Sequence, residues 1–277
     1  MSNDVDETSL AKSSPTLSPS SEESNASMEA SRSLRFSLRS ILLVVSVCII
    51  VVAAITSGLR ESKKRSLEKQ VRQGLLDAYL GIRNFESARQ YMPASTYRNA
   101  NGNDLSSWRF QILPYMGVNQ YGRQYYASDW TASINQPIRS SQNVPYCIES
   151  TDKDGYTNIY AIAGVDTAFE HRNYPGFSKR KFDEIPPSLI LLMETSQSKV
   201  HWMQPGDYGA DELLAASGPV KNTAKGLLRD RIHVMFADGE VWALSSDTPM
   251  EAIHPFLTIT AAKNVDRDEL LAVWKVN

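Results

Sequence analysis

The sequence predicts an α+β protein in which a long N-terminal helix, with a transmembrane half and an amphipathic half, packs on a small antiparallel sheet. Three observations lead to this class. An uncharged apolar run covers residues 41–59, apolar residues then recur at helical spacing, and short apolar or β-branched runs separated by turn residues fill the remainder. With 277 residues, the chain is long enough for one sizeable core.

Residues 1–34 are predicted to form a disordered tail. Serine dominates this segment, Pro15 and Pro19 interrupt it, and few apolar side chains are available to bury. A cleavable signal peptide does not fit, because forty residues precede the apolar run.

Residues 35–60 are predicted to form a transmembrane helix. The nineteen uncharged residues 41–59 span roughly 28 Å as a helix, which is close to the thickness of a hydrocarbon core. A buried core helix is the alternative, and basic residues on both sides of the run disfavour it. These residues are Arg32, Arg35 and Arg39 before the run, and Arg60, Lys63, Lys64 and Arg65 after it, followed by Lys69 and Arg72.

The two flanks leave the orientation open. The C-terminal flank is the more basic, which by itself favours a cytoplasmic domain. Long domains translocate largely regardless of charge, so an extracytoplasmic domain remains compatible with the sequence.

Residues 61–92 are predicted to continue the helix as an amphipathic half that ends before Pro93. This half needs a partner surface, and the chain's own domain, residues 93–277, is the obvious one. The apolar residues at spacings of three and four are Leu67, Val71, Leu75, Tyr79, Ile82 and Phe85.

Four runs within the domain are predicted to be strands: 156–164, 188–195, 231–237 and 240–244. Asp238-Gly239, between the last two runs, predicts a β-hairpin with a two-residue type I′ turn.

Composition and motifs exclude several classes of function. The net charge of −2 gives no basic footprint for a nucleic-acid partner. Hydrolase, nucleotide and dinucleotide motifs are absent, and His171, His201, His233 and His254 lack the spacing of a zinc site. We therefore expect no catalytic residues, no metal and no cofactor.

The two cysteines, Cys48 and Cys147, do not form a disulfide framework, because one lies in the apolar run. Cys147 is either a buried small hydrophobe, which its apolar neighbours favour, or a reactive thiol. Glu194 and Asp238 are either paired acids or, more simply, a carboxylate at a strand end and a turn residue.

An aromatic cluster lies between residues 108 and 130. Its rings either line a ligand groove, for which Trp108, Tyr115, Tyr125 and Trp130 are the candidates, or pack in the core around the amphipathic helix. The cluster comprises Trp108, Phe110, Tyr115, Tyr121, Tyr125, Tyr126 and Trp130.

A series of short motifs runs in order between residues 107 and 244. Its main residues are Trp108, Pro114, Cys147, Glu194, Trp202, Asp238 and Gly239. In the order and spacing of these motifs, the chain resembles the planctomycete pilin-like proteins known as domain of unknown function 1559, also filed as a bacterial solute-binding family. The sequence departs from the family at Leu228, where a histidine is often found, and in the loop 181–187.

The resemblance implies an architecture similar to that of type II secretion pseudopilins: a single-pass inner-membrane protein with a cytoplasmic N-terminus and a sheet domain outside the cytoplasm. The prepilin processing site is missing. Phe36 follows Arg35 instead of glycine, and Ser40 stands where the family of filament pilins carries a glutamate.

These features favour a non-enzymatic envelope protein with a structural or assembly role, not processed as a prepilin. Its expected partners are the lipid bilayer and envelope proteins or further copies of itself. The alternative is a membrane-anchored extracytoplasmic domain that binds a solute through the aromatic cluster.

Overall fold

A single helix, α1 (Leu38–Arg89, 52 residues), opens the structure, a computed structural model that describes residues 37–117, 121–140, 144–148, 155–170 and 180–276. The predicted tail lies outside the described residues. The chain divides into two compact units, one up to Thr56 and one from Ser57 onward. In the first unit the apolar side chains of α1 are exposed; Ile50, for example, is 68% exposed.

Helix α1 ends three residues earlier than the predicted limit of 92. Gln90 adopts a left-handed conformation with φ 63°, and its N–H donates to the carbonyl oxygen of Glu86 at 2.6 Å. A left-handed residue after the last turn is a common way to end a helix, and Pro93 closely follows it.

In the second unit, one face of α1 is buried. Val71, Leu75, Ile82 and Phe85 all lie in the core, which confirms the predicted amphipathic half. The helix approaches the rest of the unit closely at Gly74, where a Cβ atom would lie 2.7 Å from the carbonyl oxygen of Pro145. Glycine is therefore needed for this contact.

The main sheet contains five strands in the order β5-β3-β4-β6-β7. Neighbouring strands are antiparallel except β3 and β5, which are parallel, so the sheet is mixed at one edge. The strands are β3 (Ile159–Ala163), β4 (Ile190–Glu194), β5 (Tyr208–Gly209), β6 (Arg231–Phe236) and β7 (Val241–Ser245). Strands β3, β4, β6 and β7 lie within the four predicted runs or, for β7, extend one residue beyond.

A separate antiparallel pair, β1 (Thr96–Arg98) and β2 (Asp104–Ser107), was not predicted. Short helices complete the unit: α2 (Trp108–Ile112), α3 (Arg123–Tyr126), α4 (Gln136–Arg139), α5 (Ala210–Ala215), α6 (Met250–Ile253), α7 (Ile259–Ala262) and α8 (Arg267–Leu270). Single 3-10 turns form at Leu113–Met116, Ser133–Asn135, Phe182–Glu184, Val220–Asn222, His254–Phe256 and Ala272–Trp274.

The main sheet is covered on both faces, whereas the sequence predicted a covering helix on one. Met235 of β6 packs in the cluster that contains the buried face of α1. Its neighbours Val234 and Phe236 point to the opposite face, as alternation in a strand requires. There they pack with Leu213 of α5 and with residues of the C-terminal elements, which include Met250, Ile253, Phe256 and Leu271.

The predicted hairpin joins β6 to β7, but the type I′ turn was wrong. Gly239 has φ 91°, whereas Asp238 is not left-handed. The Phe236 N–H donates to the Glu240 carbonyl and the Gly239 N–H donates to the Phe236 carbonyl, each at 3.0 Å. The loop therefore has three residues and places its only left-handed residue at glycine, which avoids the cost of forcing Asp238 into that conformation.

Candidate functional site

A cavity of about 520 Å³ lies where the C-terminal end of α1 meets the β1–β2 pair and the segment after α2. We call it the tyrosine cavity. Its lining is formed by Phe85, Arg89, Tyr91, Tyr97, Arg98, Leu105, Gln111, Pro114, Tyr115, Tyr121, Tyr126 and Ala127.

The rings of the tyrosine cavity are held by contacts with one another and with the core. Phe85 meets Tyr115 and Tyr91 edge to face, with ring centroids 5.2 and 5.8 Å apart. Tyr126 stacks on the buried Phe110 at 4.6 Å. Contacts of this kind add to the burial of each ring, so the walls are preorganised.

Burial keeps three tyrosine hydroxyls of the cavity, those of Tyr91, Tyr97 and Tyr126, in the neutral form. Burial raises the pKa of Tyr126 to about 12 and raises that of Tyr97 further, because the phenolate would lose its hydration. Burial also raises the pKa of Tyr91. At neutral pH these groups can therefore donate a hydrogen bond as well as accept one.

Two arginines reach the cavity and differ in their partners. Arg98 is paired with Asp104, with 2.6 Å between Nε and Oδ1. The Nε of Arg89 donates instead to the hydroxyl of Tyr115 at 2.7 Å. Among the described residues that line the cavity there is no acid, so the cavity has positive charge.

The structure brings only Tyr115 of the four predicted groove residues to this cavity. Trp108 has no exposed surface and packs against Tyr146 and Phe169, with centroids 5.7 and 5.3 Å apart. It belongs to the core, which was the other interpretation of the cluster. Trp130 is half-buried.

Trp130 stacks on His201, with ring centroids 5.4 Å apart, and Tyr125 is half-buried beside Tyr121 at 5.8 Å. Neither Trp130 nor Tyr125 lines the tyrosine cavity. Sequence reasoning missed Tyr91 and Tyr97, which extend the same run of tyrosines across Pro93 toward α1.

Trp108 also takes part in a buried polar network. Its Nε1 donates to Asp207 Oδ1 at 3.0 Å, and Arg109 Nη2 donates to the same oxygen at 2.6 Å. The backbone N–H of Ala161 donates to it at 2.9 Å, and Arg109 Nε donates to the Ile159 carbonyl at 2.9 Å. The network links α2 to β3, which is a structural role.

Glu194 and Asp238 share no partner among the described residues. Glu194 is buried at the end of β4, where its Oε1 accepts from the N–H of His233 at 2.6 Å and lies 2.7 Å from His233 Nδ1. Asp238 forms an ion pair with Arg267 at 2.6 Å. The side chains of Glu194 and His233 have no exposed surface.

The remaining motif residues also have structural surroundings. Burial raises the pKa of Cys147 to about 12, so its thiol stays protonated and unreactive at neutral pH. Trp202 is buried against Phe110, with centroids 6.0 Å apart, and Pro114 is half-buried at the tyrosine cavity.

Within the described ranges, no three His, Cys, Asp or Glu side chains are arranged to hold a metal ion. His171 lies outside those ranges. In the same part of the chain, α1 is the helix long and apolar enough to cross a membrane.

Comparison of the chain with models of protein families, with curated proteins and with solved structures returns no match.

Proposed function

We propose that the chain is a single-pass, membrane-anchored envelope protein, similar to pseudopilins, with a structural or assembly role. One observation carries the proposal: a single 52-residue helix contains the exposed apolar run and then supplies the buried face of the second unit's core. The exposed apolar run is therefore continuous with an element of the folded core.

The edge strands of the main sheet offer little unpaired backbone to which a second chain could bind. Strand β5 has two residues, and the outer side of β7 meets the C-terminal segment, where the Val276 N–H donates to the Ala243 carbonyl at 2.8 Å. Short or covered edges disfavour pairing with another chain.

The outer face of α1 is more available to a neighbour. Leu76 and Leu80 are 37% and 55% exposed, one turn apart on the same face of the helix. We infer that this face contacts neighbouring envelope proteins or a second copy of the chain.

Cysteine cross-linking in membranes tests the assembly role. Leu80→Cys, in a chain without Cys48 and Cys147, should form adducts with neighbours on mild oxidation. Val273→Cys is the matched control, because Val273 is also an exposed apolar residue (79%) but lies outside α1. Equal cross-linking at both positions, or none at either, would contradict an assembly role for α1.

We further propose that the second unit is extracytoplasmic and that the N-terminal tail is retained. Arg35 before Phe36 and Ser40 in place of glutamate support retention. Intact mass of the native protein should correspond to a chain that keeps these residues. A mature chain that starts at Phe36 with a methylated amine would contradict this proposal and indicate a filament subunit instead.

A further inference from the structure

We propose that the tyrosine cavity binds a small organic acid that carries an aromatic or other flat apolar ring. This binding site goes beyond the anchoring and assembly role and does not depend on it. Three features support this site: the size of the cavity, the chemistry of its walls, and Arg89, which among the described lining residues is the arginine for which no acidic partner is described.

The size and walls of the cavity suit a small molecule with a flat ring. A volume of about 520 Å³ lies within the usual range for ligand pockets. Faces and edges of Phe85, Tyr91, Tyr115 and Tyr126 surround it, and aromatic rings prefer offset-stacked or edge-to-face neighbours. A ring in the cavity would complete the contacts that these side chains already make among themselves.

The charge of the cavity selects an acid. Arg89 is exposed at the last residue of α1, and the structure describes no ion pair for it. Its Nε is held by Tyr115, which leaves the terminal Nη groups to donate to a ligand carboxylate. Arg98 contributes less to the binding of an anion, because Asp104 already neutralises its charge.

A cationic ligand is the natural competitor, since tyrosine faces attract cations. In this cavity the cation would meet Arg89 and Arg98 and no lining acid among the described residues. Like-charge repulsion in a partly desolvated site therefore favours the anion. Gln111 adds specificity: its Nε2 donates to Ser106 at 2.8 Å, so its carbonyl oxygen remains to accept from a ligand hydroxyl.

The cavity lies far along α1 from the apolar run. Leu59, the end of the run, and Arg89 are thirty positions apart, which corresponds to about 45 Å of helix. The ligand therefore need not be a lipid, and a water-soluble acid can reach the site.

Calorimetric titration of the full chain in detergent micelles tests the proposal with 4-hydroxyphenylacetate as the probe. The neutral amide of the same acid is the matched ligand control. We expect the acid to bind at least about tenfold more tightly than the amide, because only the acid pairs with the guanidinium.

Arg89→Gln should lower the affinity for the acid by about tenfold or more and leave the affinity for the amide unchanged, since it removes the charge and keeps a polar side chain. Arg83→Gln is the matched control on the same helix, because Arg83 stacks on Phe182, away from the cavity. It should leave both affinities unchanged. Thermal melting of each variant confirms that it is folded.

Tyr115→Phe gives an independent test, because it removes the hydroxyl that holds Arg89 and keeps the ring. This variant should lower the affinity for the acid and leave the affinity for the amide unchanged. Equal affinity for acid and amide, an acid affinity that Arg89→Gln leaves intact, or no binding of the acid at millimolar concentration would overturn the proposal.

Discussion

Replacement of Trp108 by alanine should destabilise the second unit by about 3–5 kcal/mol, the range for large aromatic truncations in a core. Trp108 has no exposed surface. A ring of this type removes roughly 150–250 Å² from water, worth about 4–6 kcal/mol at about 25 cal/mol per Å². The retained Cβ and partial collapse of the site lower this value, whereas loss of the indole donor to Asp207 adds roughly 1 kcal/mol.

Urea unfolding of the full chain in mild detergent, followed by near-UV circular dichroism, measures the effect. Trp108→Phe is the first control; it keeps a ring against Tyr146 and Phe169 and should cost less than the alanine variant. Trp130→Ala is the second control, because Trp130 is half-buried and stacks on His201. A loss of stability below about 1 kcal/mol for Trp108→Ala would refute the core assignment, since so small a loss is typical of a surface residue.

Three further predictions concern the buried pair, the hairpin and the free thiol. Asp207→Ala should cost about 3–5 kcal/mol because it leaves buried Arg109 without its anion, and adding Arg109→Met should recover part of the loss in urea unfolding. Gly239→Ala should destabilise by about 1 kcal/mol more than Gly102→Ala. Both glycines have positive φ, but only at Gly239 does a Cβ atom meet a tyrosine ring of α1, at 2.9 Å, and melting curves of the two variants compare them. Cys147, in a variant without the other cysteine, should react with a thiol reagent at about pH 8 only after unfolding, because the raised pKa keeps it protonated; rapid reaction of the folded chain would refute this.

Local patterns were enough to predict the elements that depend on neighbours in sequence. The 3.6-residue spacing of Val71, Leu75 and Ile82 located the buried face of α1, and the apolar run 188–195 contained β4. Burial on one side of a helix and pairing of long strands leave such periodic signals.

The parts that were missed depend on contacts that are distant in sequence. Strand β5 has two residues and pairs with β3, so no run of β-formers indicates it. The second covering layer consists of short helices such as α6, whose four residues are too few for a period. The type I′ turn failed because Asp-Gly also fits a three-residue loop with glycine alone left-handed.

The candidate site was predicted only in part, for the same reason. Tyr115 lines the tyrosine cavity, but sequence spacing does not distinguish a ring that points to the core, such as Trp108, from one that lines a cavity. Arg89 was missed because its importance arises from the tyrosine hydroxyl that holds it, in a segment 26 residues away.

Extraction of membranes with alkaline carbonate tests the central claim, that α1 anchors the chain in a bilayer. The full chain should remain in the membrane pellet, because an apolar run of nineteen residues holds a helix far more firmly than surface attachment does. Val47→Arg combined with Ile50→Arg should move it to the soluble fraction, since each charge costs about 2.5–3.5 kcal/mol at the centre of a membrane helix. Recovery of the unmodified chain in the carbonate wash would contradict the account.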